Sequence, residues 1–168
     1  MPLAYYRAMA LSLGDNIPDI ELFVMGAEGP QKVTTGELLG TGRVVLFAVP
    51  GAFTPGCSRV HLPGFVQQAQ DVTDKGVDRI VCVSVNDAFV MGAWGEDQGV
   101  GESIVMLADG NGAFTEAMGH VMDGSGFGLG IRSKRYAAII DDGVITSLDI
   151  DETGGVEVSS CAAVLGRL

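Results

Sequence analysis

The sequence is poor in basic residues and in long apolar runs. It has 10 Lys and Arg residues against 21 Asp and Glu residues, a formal net charge of −11. Because a field of this sign repels phosphate groups, we expect neither nucleic acid nor an anionic membrane as a partner. No stretch reaches the roughly 18 uninterrupted apolar residues of a membrane span, and the N-terminal residues show no clear cleavage site. We therefore expect a cytoplasmic protein.

Cysteine is also scarce. Only three cysteines occur, Cys57, Cys82 and Cys161, and none belongs to a CxxC pair. An odd number of widely spaced cysteines is typical of free thiols in a reducing compartment rather than of a disulfide framework.

The chain shows no repeat, linker or low-complexity tract. Its 168 residues are 47% hydrophobic, enough for one globular core, and its 25 glycines are scattered between apolar runs. We expect a single domain over residues 1–168, with residues 1–10 as a loose N-terminal extension.

Two apolar runs, RVVLFAV (43–49) and RIVCVSV (79–85), have the continuous β-branched character of parallel strands buried on both faces. The segment between them has helical spacing and ends at Lys75-Gly76, a helix C-terminal signal, although Pro63 should kink or restart the helix. This order predicts a βαβ unit.

The second half of the chain predicts a helix over 87–99 with Asp87 as N-cap, a strand over 103–109 and a short helix over 112–119. Residues 135–150 then predict a hairpin that turns at Asp142-Gly143. The expected fold class is α/β, a thioredoxin-like fold with a central mixed sheet flanked by helices.

Cys57 follows the first central strand and falls in the first turn of a helix, where free N–H groups and the helix dipole favour a thiolate. Three interpretations are open from the residues alone: a packed hydrophobe, a metal ligand together with His61, and a nucleophile. A nucleophile that displaces an oxygen leaving group also needs donors for the developing charge. Thr54 is one candidate, and an arginine brought in by the fold is the second.

Three stretches resemble the type II peroxiredoxins in the same order along the chain: VPGAFTPGCSRVHLPGF (49–65), VCVSVNDAFVMGAWG (81–95) and GLGIRSKRYAAIIDDGVI (128–145). The first contains the pattern Pro50-x-x-x-Thr54-x-x-Cys57. The resemblance covers residues 11–165.

This resemblance implies a thiol peroxidase that reduces hydrogen peroxide and alkyl hydroperoxides without metal, flavin or heme. It implies that Cys57 is the peroxidatic cysteine, which cycles through a sulfenic acid, and that Thr54 hydrogen-bonds thiolate and peroxide. Pro50 would shield the pocket and Arg132 would be the active-site arginine. We expect the neighbouring Lys134 and Arg135 to be surface charges and His61 to be a structural hydrogen-bonding residue.

The thiol that resolves the sulfenic acid stays open. Cys161 is a candidate because we expect its C-terminal segment to be exposed and mobile, whereas Cys82 is expected to be buried and inert. The third candidate is an external thiol, supplied by glutathione with glutaredoxin or by thioredoxin. The resemblance also implies a homodimer. The alternative function is a redox sensor or relay that does not turn over efficiently.

Overall fold

The computed structural model describes residues 2, 3, 5 and 9–168 of the chain. The expectation of a loose extension over residues 1–10 falls partly on residues 1, 4 and 6–8, which lie outside the described residues. Within the described part, no helix has both the length and the apolar character that a membrane crossing requires.

A seven-stranded mixed sheet forms the centre of the fold, in the order β2-β1-β5-β4-β3-β8-β9, and a separate two-stranded sheet pairs β6 with β7. Within the described residues the nine strands are β1 (Glu21–Gly26), β2 (Gly29–Thr34), β3 (Arg43–Ala48), β4 (Arg79–Ser84), β5 (Val105–Ala108), β6 (Val121–Asp123), β7 (Ile131–Ser133), β8 (Arg135–Asp141) and β9 (Val144–Asp151).

The central strands β3, β4 and β5 run parallel, and their neighbours on either side run antiparallel. This arrangement confirms the buried parallel strands and the βαβ unit predicted from the two apolar runs. The predicted hairpin is also present: β8 pairs with β9 across Asp142 and Gly143, which both have positive φ (47° and 81°). Two consecutive positive φ values are typical of the type I′ turn that Asp-Gly favours.

From residue 10 onward the α-helices are α1 (Thr35–Leu39), α2 (Leu62–Asp74), α3 (Ala88–Gln98), α4 (Ala113–Met118) and α5 (Cys161–Leu165). The prediction of Asp87 as the N-cap of α3 is confirmed, since its carboxylate accepts the Val90 N–H at 2.9 Å. The helix ends at Gly99, whose φ of 67° places it in the left-handed conformation that glycine adopts without strain.

A π-helical turn, Cys57–His61, leads directly into α2. Here the Leu62 N–H donates to the carbonyl of Cys57, five residues earlier. Pro63 then lies in the first turn of α2, where its missing N–H costs little. The predicted restart of the helix near Pro63 is therefore confirmed, and the widened turn is where the backbone changes its hydrogen-bond register.

Two hairpins were not predicted. The strands β1 and β2 pair at one edge of the main sheet, and β6 and β7 form their own sheet. In the second hairpin the Gly124 N–H donates to the Gly130 carbonyl at 2.7 Å and closes an ordered turn just before Arg132.

The sheet carries a hydrophobic core on each face. One core packs beneath α2, α3 and α5 and contains Cys57 and Cys82 together with Phe47, Phe65 and Trp94. The other packs against α1 and α4 and includes Leu46, Phe114, Met118 and Tyr136. Because side chains alternate along a strand, each residue of β8 is assigned to one of these two faces by its position.

Candidate active site

Cys57 lies just beyond the carboxyl end of β3, in the first turn of the helical segment that becomes the π turn. The helix begins at Pro55, and the Thr54 carbonyl accepts the Ser58 N–H at 2.9 Å. Proline suits this first helical position because it lacks only an N–H that would have no partner there. Because Cys57 is in the first helical turn, its sulfur lies near the free N–H groups of a helix start. Because Cys57 is also fully buried, the sulfur lies away from bulk water.

Arg135 is the residue whose guanidinium contacts this sulfur. Its Nη2 donates to Cys57 Sγ at 3.4 Å, and its Nη1 donates to His61 Nδ1 at 2.9 Å. The side chain is 6% exposed and forms no ion pair with a carboxylate among the described residues. A buried guanidinium that no carboxylate neutralises favours a negative charge on the atom it faces.

The assignment of Arg135 as a surface charge was therefore wrong. Arg135 is the first residue of β8, and the register of β8 with β3 pairs Tyr136 with Ala48. Arg135 thus lies beside the end of β3, where the chain leaves the sheet toward Cys57. It also shares a sheet face with Ala137 and Ile139, which belong to the core that contains Cys57.

Arg132 occupies a different part of the same site. Its Nη1 donates to the Pro50 carbonyl at 3.2 Å, and its Nε donates to the Leu129 carbonyl at 2.9 Å. Its guanidinium also passes close over Gly51, since a Cβ on Gly51 would lie 2.7 Å from Arg132 Nη1. The structure therefore brings Arg132 to the loop that precedes Cys57, whereas the bond to Cys57 Sγ comes from Arg135.

Thr54 faces the same loop. Its hydroxyl lies 2.7 Å from the Gly51 carbonyl oxygen, which can only accept, so the hydroxyl donates and its lone pairs stay available. The loop is held from outside as well, because the Ala52 N–H donates to Asn86 Oδ1 at 3.0 Å. Phe53, between these contacts, has a φ of 63°, an uncommon value for a residue with a side chain.

The π turn is tied to α3 by a side-chain hydrogen bond. The indole Nε1 of Trp94 donates to Ser58 Oγ at 2.9 Å, and the Trp94 side chain is fully buried. The residue after Cys57 is therefore fixed to a neighbouring helix.

His61 is buried among aromatic rings and bridges two parts of the chain. Its Nε2 lies 2.9 Å from the Ser159 carbonyl oxygen, and its Nδ1 receives the bond from Arg135. Desolvation lowers the pKa of His61 to about 4, with the nearby Arg135 charge acting in the same direction and the Ser159 contact opposing it. The ring is neutral at pH 7, and its partners place the single proton on Nε2. This agrees with the structural role expected for His61.

The other two cysteines lie in the same core as Cys57. Burial raises the pKa of the Cys82 thiol well above its ordinary value, and a charge on Cys57 would raise it further. Cys161 begins α5 and is only 2% exposed, so the expectation that its segment is exposed was wrong at this residue. Burial, followed by the charge of Asp71, raises the pKa of Cys161 to about 12. All three cysteines are free.

Cys161 packs against α2 rather than against the first turn at Cys57. A Cβ on Gly64 would lie 3.9 Å from Cys161 Cβ. Gly64 is seven residues after Cys57, a separation of about 10 Å along a helix at roughly 1.5 Å per residue. Among the described residues, no group of three or more His, Cys, Asp or Glu side chains is arranged to hold a metal ion.

The fold and the site define a class: a thioredoxin-like protein with a buried cysteine at a helix start, faced by a guanidinium that pairs with no carboxylate in the described part of the chain. The family profile described as Redoxin matches residues 12–165 of the chain. Peroxiredoxin-2E-2, chloroplastic, of Oryza sativa subsp. japonica is 49% identical over 163 residues, which cover 94% of this chain and 72% of that protein. Peroxiredoxin-2C of the same species is 43% identical over 159 residues, with 94% and 98% covered.

A solved structure, reduced Prx3 in complex with H2O2 from Vibrio vulnificus, superposes with a TM-score of 0.89 at 49% identity, covering 94% of this chain and 98% of that one. The chain belongs to the Redoxin family, within which it is a peroxiredoxin of type II. It is a thiol peroxidase that reduces hydrogen peroxide and alkyl hydroperoxides, with a role in antioxidant defence.

Proposed function

We propose that Cys57 is the peroxidatic cysteine and that Arg135, rather than Arg132, stabilises the charge that develops as it reacts. The observation that carries this proposal is the bond from Arg135 Nη2 to Cys57 Sγ in a buried site, where no carboxylate of a described residue pairs with Arg135. A guanidinium presents several N–H donors in one plane, so it can face the sulfur and a leaving oxygen together.

The chemistry has three balanced steps. The Cys57 thiolate attacks one oxygen of the hydroperoxide, the O–O bond breaks, and the leaving alkoxide takes a proton to become an alcohol, or water for hydrogen peroxide. The resulting sulfenic acid condenses with a thiol and releases water. A second thiol then reduces the mixed disulfide, so that one hydroperoxide and two thiols give an alcohol, water and a disulfide.

The residues around the loop have supporting roles in this proposal. Thr54 accepts the hydroperoxide O–H, because its own proton is committed to the Gly51 carbonyl. Pro50, which follows β3 by two residues, has the role of shielding the pocket. Arg132 holds the Pro50 carbonyl and keeps the loop closed over the reacting atoms.

We propose that an external thiol resolves the sulfenic acid. Cys161 is buried against α2 with a raised pKa, and a disulfide requires Cα atoms within about 7 Å, so its use would need local unwinding. Cys82 is buried in the central strand β4. Glutathione with glutaredoxin, or thioredoxin, would supply the reducing thiol.

Two further proposals concern the setting of the protein. We place it in the cytoplasm as a homodimer. Its three free cysteines fit a reducing compartment. Large apolar side chains are exposed on and near the active-site loop, with Phe53 54% and Phe89 66% exposed, as at a surface that a second copy would cover. Sedimentation of the reduced protein tests the dimer, and fractionation of the source cells tests the compartment.

The test of the site is Cys57→Ser with Cys82→Ala and Cys161→Ala as matched controls. Serine has no thiolate, so Cys57→Ser should consume no hydrogen peroxide above background with either reducing system. Both alanine variants should retain turnover with glutathione and glutaredoxin. Peroxide consumption by Cys57→Ser would refute the assignment, and loss of all turnover in Cys161→Ala would make Cys161 the resolving thiol.

The redox sensor or relay is the competing function. It predicts that wild-type protein forms a Cys57 sulfenic acid once and then consumes no more peroxide under both reducing systems. Steady-state turnover separates the two functions directly.

A further inference from the structure

A continuous line of hydrogen bonds runs from Cys57 to the C-terminal part of the chain. Arg135 Nη2 donates to Cys57 Sγ, Arg135 Nη1 donates to His61 Nδ1 at 2.9 Å, and His61 Nε2 donates to the Ser159 carbonyl at 2.9 Å. The residues come from the π turn, from the start of β8 and from the segment before α5, which are far apart in sequence.

We propose that His61 is a positioning residue for peroxide reduction: its neutral ring accepts a hydrogen bond from Arg135 and so aims the other guanidinium nitrogen at Cys57. This inference rests on the proposed function of Arg135 and Cys57. It assigns His61 a task beyond packing.

The argument begins with what Arg135 lacks. Its Nε has no hydrogen-bond partner among the described residues, and its two described side-chain contacts are the sulfur and the imidazole. Because the guanidinium is planar and rigid, fixing Nη1 also fixes the direction of Nη2. If Nη1 lost its acceptor, no other described residue would hold the guanidinium of Arg135 in this orientation.

The chemical nature of the acceptor matters. A carboxylate at this place would orient Arg135 but would also neutralise its charge and weaken its effect on the sulfur. A neutral imidazole orients the guanidinium and leaves its full charge facing Cys57. Burial keeps the ring neutral at pH 7, where the proton on Nε2 leaves Nδ1 free to accept.

The His61 ring is fixed by aromatic contacts as well as by its hydrogen bonds. Phe47 and Phe65 pack against it with ring centroids 5.0 Å and 5.7 Å away. The charged groups that act on it are Arg135 and Asp151. Its partner Ser159 is in turn fixed by Asp151, whose carboxylate accepts the Ser159 N–H at 3.1 Å and the Ser159 hydroxyl.

Two types of substitution separate positioning from packing. His61→Leu and His61→Phe both remove the acceptor for Arg135 and fill the space with apolar atoms, and either one suffices if the other fails to fold. His61→Asn places an oxygen near the position of Nδ1, so it restores the acceptor but cannot reach Ser159. His120→Leu is the matched control, because His120 is also buried and also contacts a backbone carbonyl, that of Leu11.

The first readout is the rate at which hydrogen peroxide oxidises Cys57 in a single turnover. His61→Leu and His61→Phe should lower it by about 10- to 100-fold, the effect of a misdirected donor, whereas His61→Asn and His120→Leu should stay within about threefold of wild type. The second readout is alkylation of Cys57 by iodoacetamide as a function of pH, which should shift to higher pH in the Leu and Phe variants only.

A double-mutant cycle with Arg135→Lys completes the test. If His61 acts through Arg135, adding His61→Leu to Arg135→Lys should cost less than about twofold in rate. If the losses in rate from His61→Leu and Arg135→Lys add, the proposal is overturned. It is also overturned if His61→Asn is as slow as His61→Leu, because His61 would then act only through packing. A wild type that consumes no peroxide would instead defeat the proposed function, and the alkylation profiles would still decide whether His61 acts on the thiol.

Discussion

Arg135 and Arg132 lie three positions apart and contact different atoms of the site. Arg135 contacts the reacting sulfur, whereas Arg132 contacts the backbone of the loop through the Pro50 carbonyl. Substitution by lysine keeps a positive charge at each position but removes the planar guanidinium with its fixed N–H donors.

We predict that Arg135→Lys lowers the rate of Cys57 oxidation by hydrogen peroxide by about 10²- to 10³-fold, the usual effect of removing a preorganised donor to a developing charge. Arg132→Lys should cost about tenfold or less. Stopped-flow measurement of sulfenic acid formation checks both. Arg43→Lys, at the opposite end of β3, is the control and should react like wild type, and a larger loss for Arg132 than for Arg135 would reverse the assignment.

The strand pattern around Arg135 indicated that this residue lies on the same sheet face as core residues, whereas the resemblance to a known motif pointed to Arg132. In RYAAII the apolar run begins directly after Arg135, and alternate positions along a strand share a face. Arg135, Ala137 and Ile139 therefore had to share one face, whereas Arg132 belongs to a separate hairpin. The placement still needed the register of β8 against β3, which depends on long-range pairing and is not contained in local patterns.

The segment that links β9 to α5 is organised by one carboxylate. Asp151 accepts N–H groups from Glu157, Val158 and Ser159 at 3.0–3.2 Å, in addition to the Ser159 hydroxyl. Burial opposes its ionisation, but the hydrogen bonds from Ser159, Glu157 and Val158 outweigh that effect and lower the pKa of Asp151.

We predict that Asp151→Asn lowers the free energy of unfolding by about 1–3 kcal/mol, because the amide keeps one acceptor oxygen and turns a donor toward the remaining N–H groups. Urea denaturation measures this change. Asp149→Asn is the control on the same strand. Asp149 pairs with Arg167 at a half-exposed site, so its loss should cost less than about 1 kcal/mol. Equal losses would mean that the carboxylate of Asp151 does not organise the segment.

Among the elements, the sequence predicted those with strong patterns and missed those without them. The apolar runs of β3 and β4, the N-cap of α3 and the Asp-Gly turn were all recognised. The strand β2, GPQKVT, is mostly polar and lies at the sheet edge, so it has no buried face to leave a pattern. The segment before α5 was expected to be mobile from its Gly154-Gly155 pair, and no local pattern shows that the Asp151 carboxylate accepts hydrogen bonds from its N–H groups.

At the scale of the whole molecule, acid should destabilise the fold partly through His61. The folded state holds this pKa at about 4 and the unfolded chain near 6.5, so the unfolded chain binds one more proton between these values. Stability therefore rises with pH through this window and is lost as the pH falls from about 6.5 toward 4. The full contribution is on the order of 3 kcal/mol.

We predict that the free energy of unfolding falls more steeply from about pH 7 to about pH 4.5 in wild type than in His61→Asn. The comparison is needed because other groups titrate as well. Burial raises the pKa of Asp109, which acts with the opposite sign, and lowering the pH reduces the repulsion of a chain with net charge −11. Parallel curves for the two proteins would show that His61 does not carry this dependence.

The hydrogen bond from Trp94 to Ser58 gives the protein an intrinsic optical reporter. Trp94 is the single tryptophan of the chain, it is fully buried, and its partner is the residue next to Cys57. If the turn at Cys57 unwinds when a reductant attacks the sulfenic acid, the indole loses its partner and meets water, and its fluorescence emission should move to longer wavelength. Ser58→Ala removes the acceptor and should shrink that spectral change, so tryptophan fluorescence reports the unwinding of the turn without an added dye.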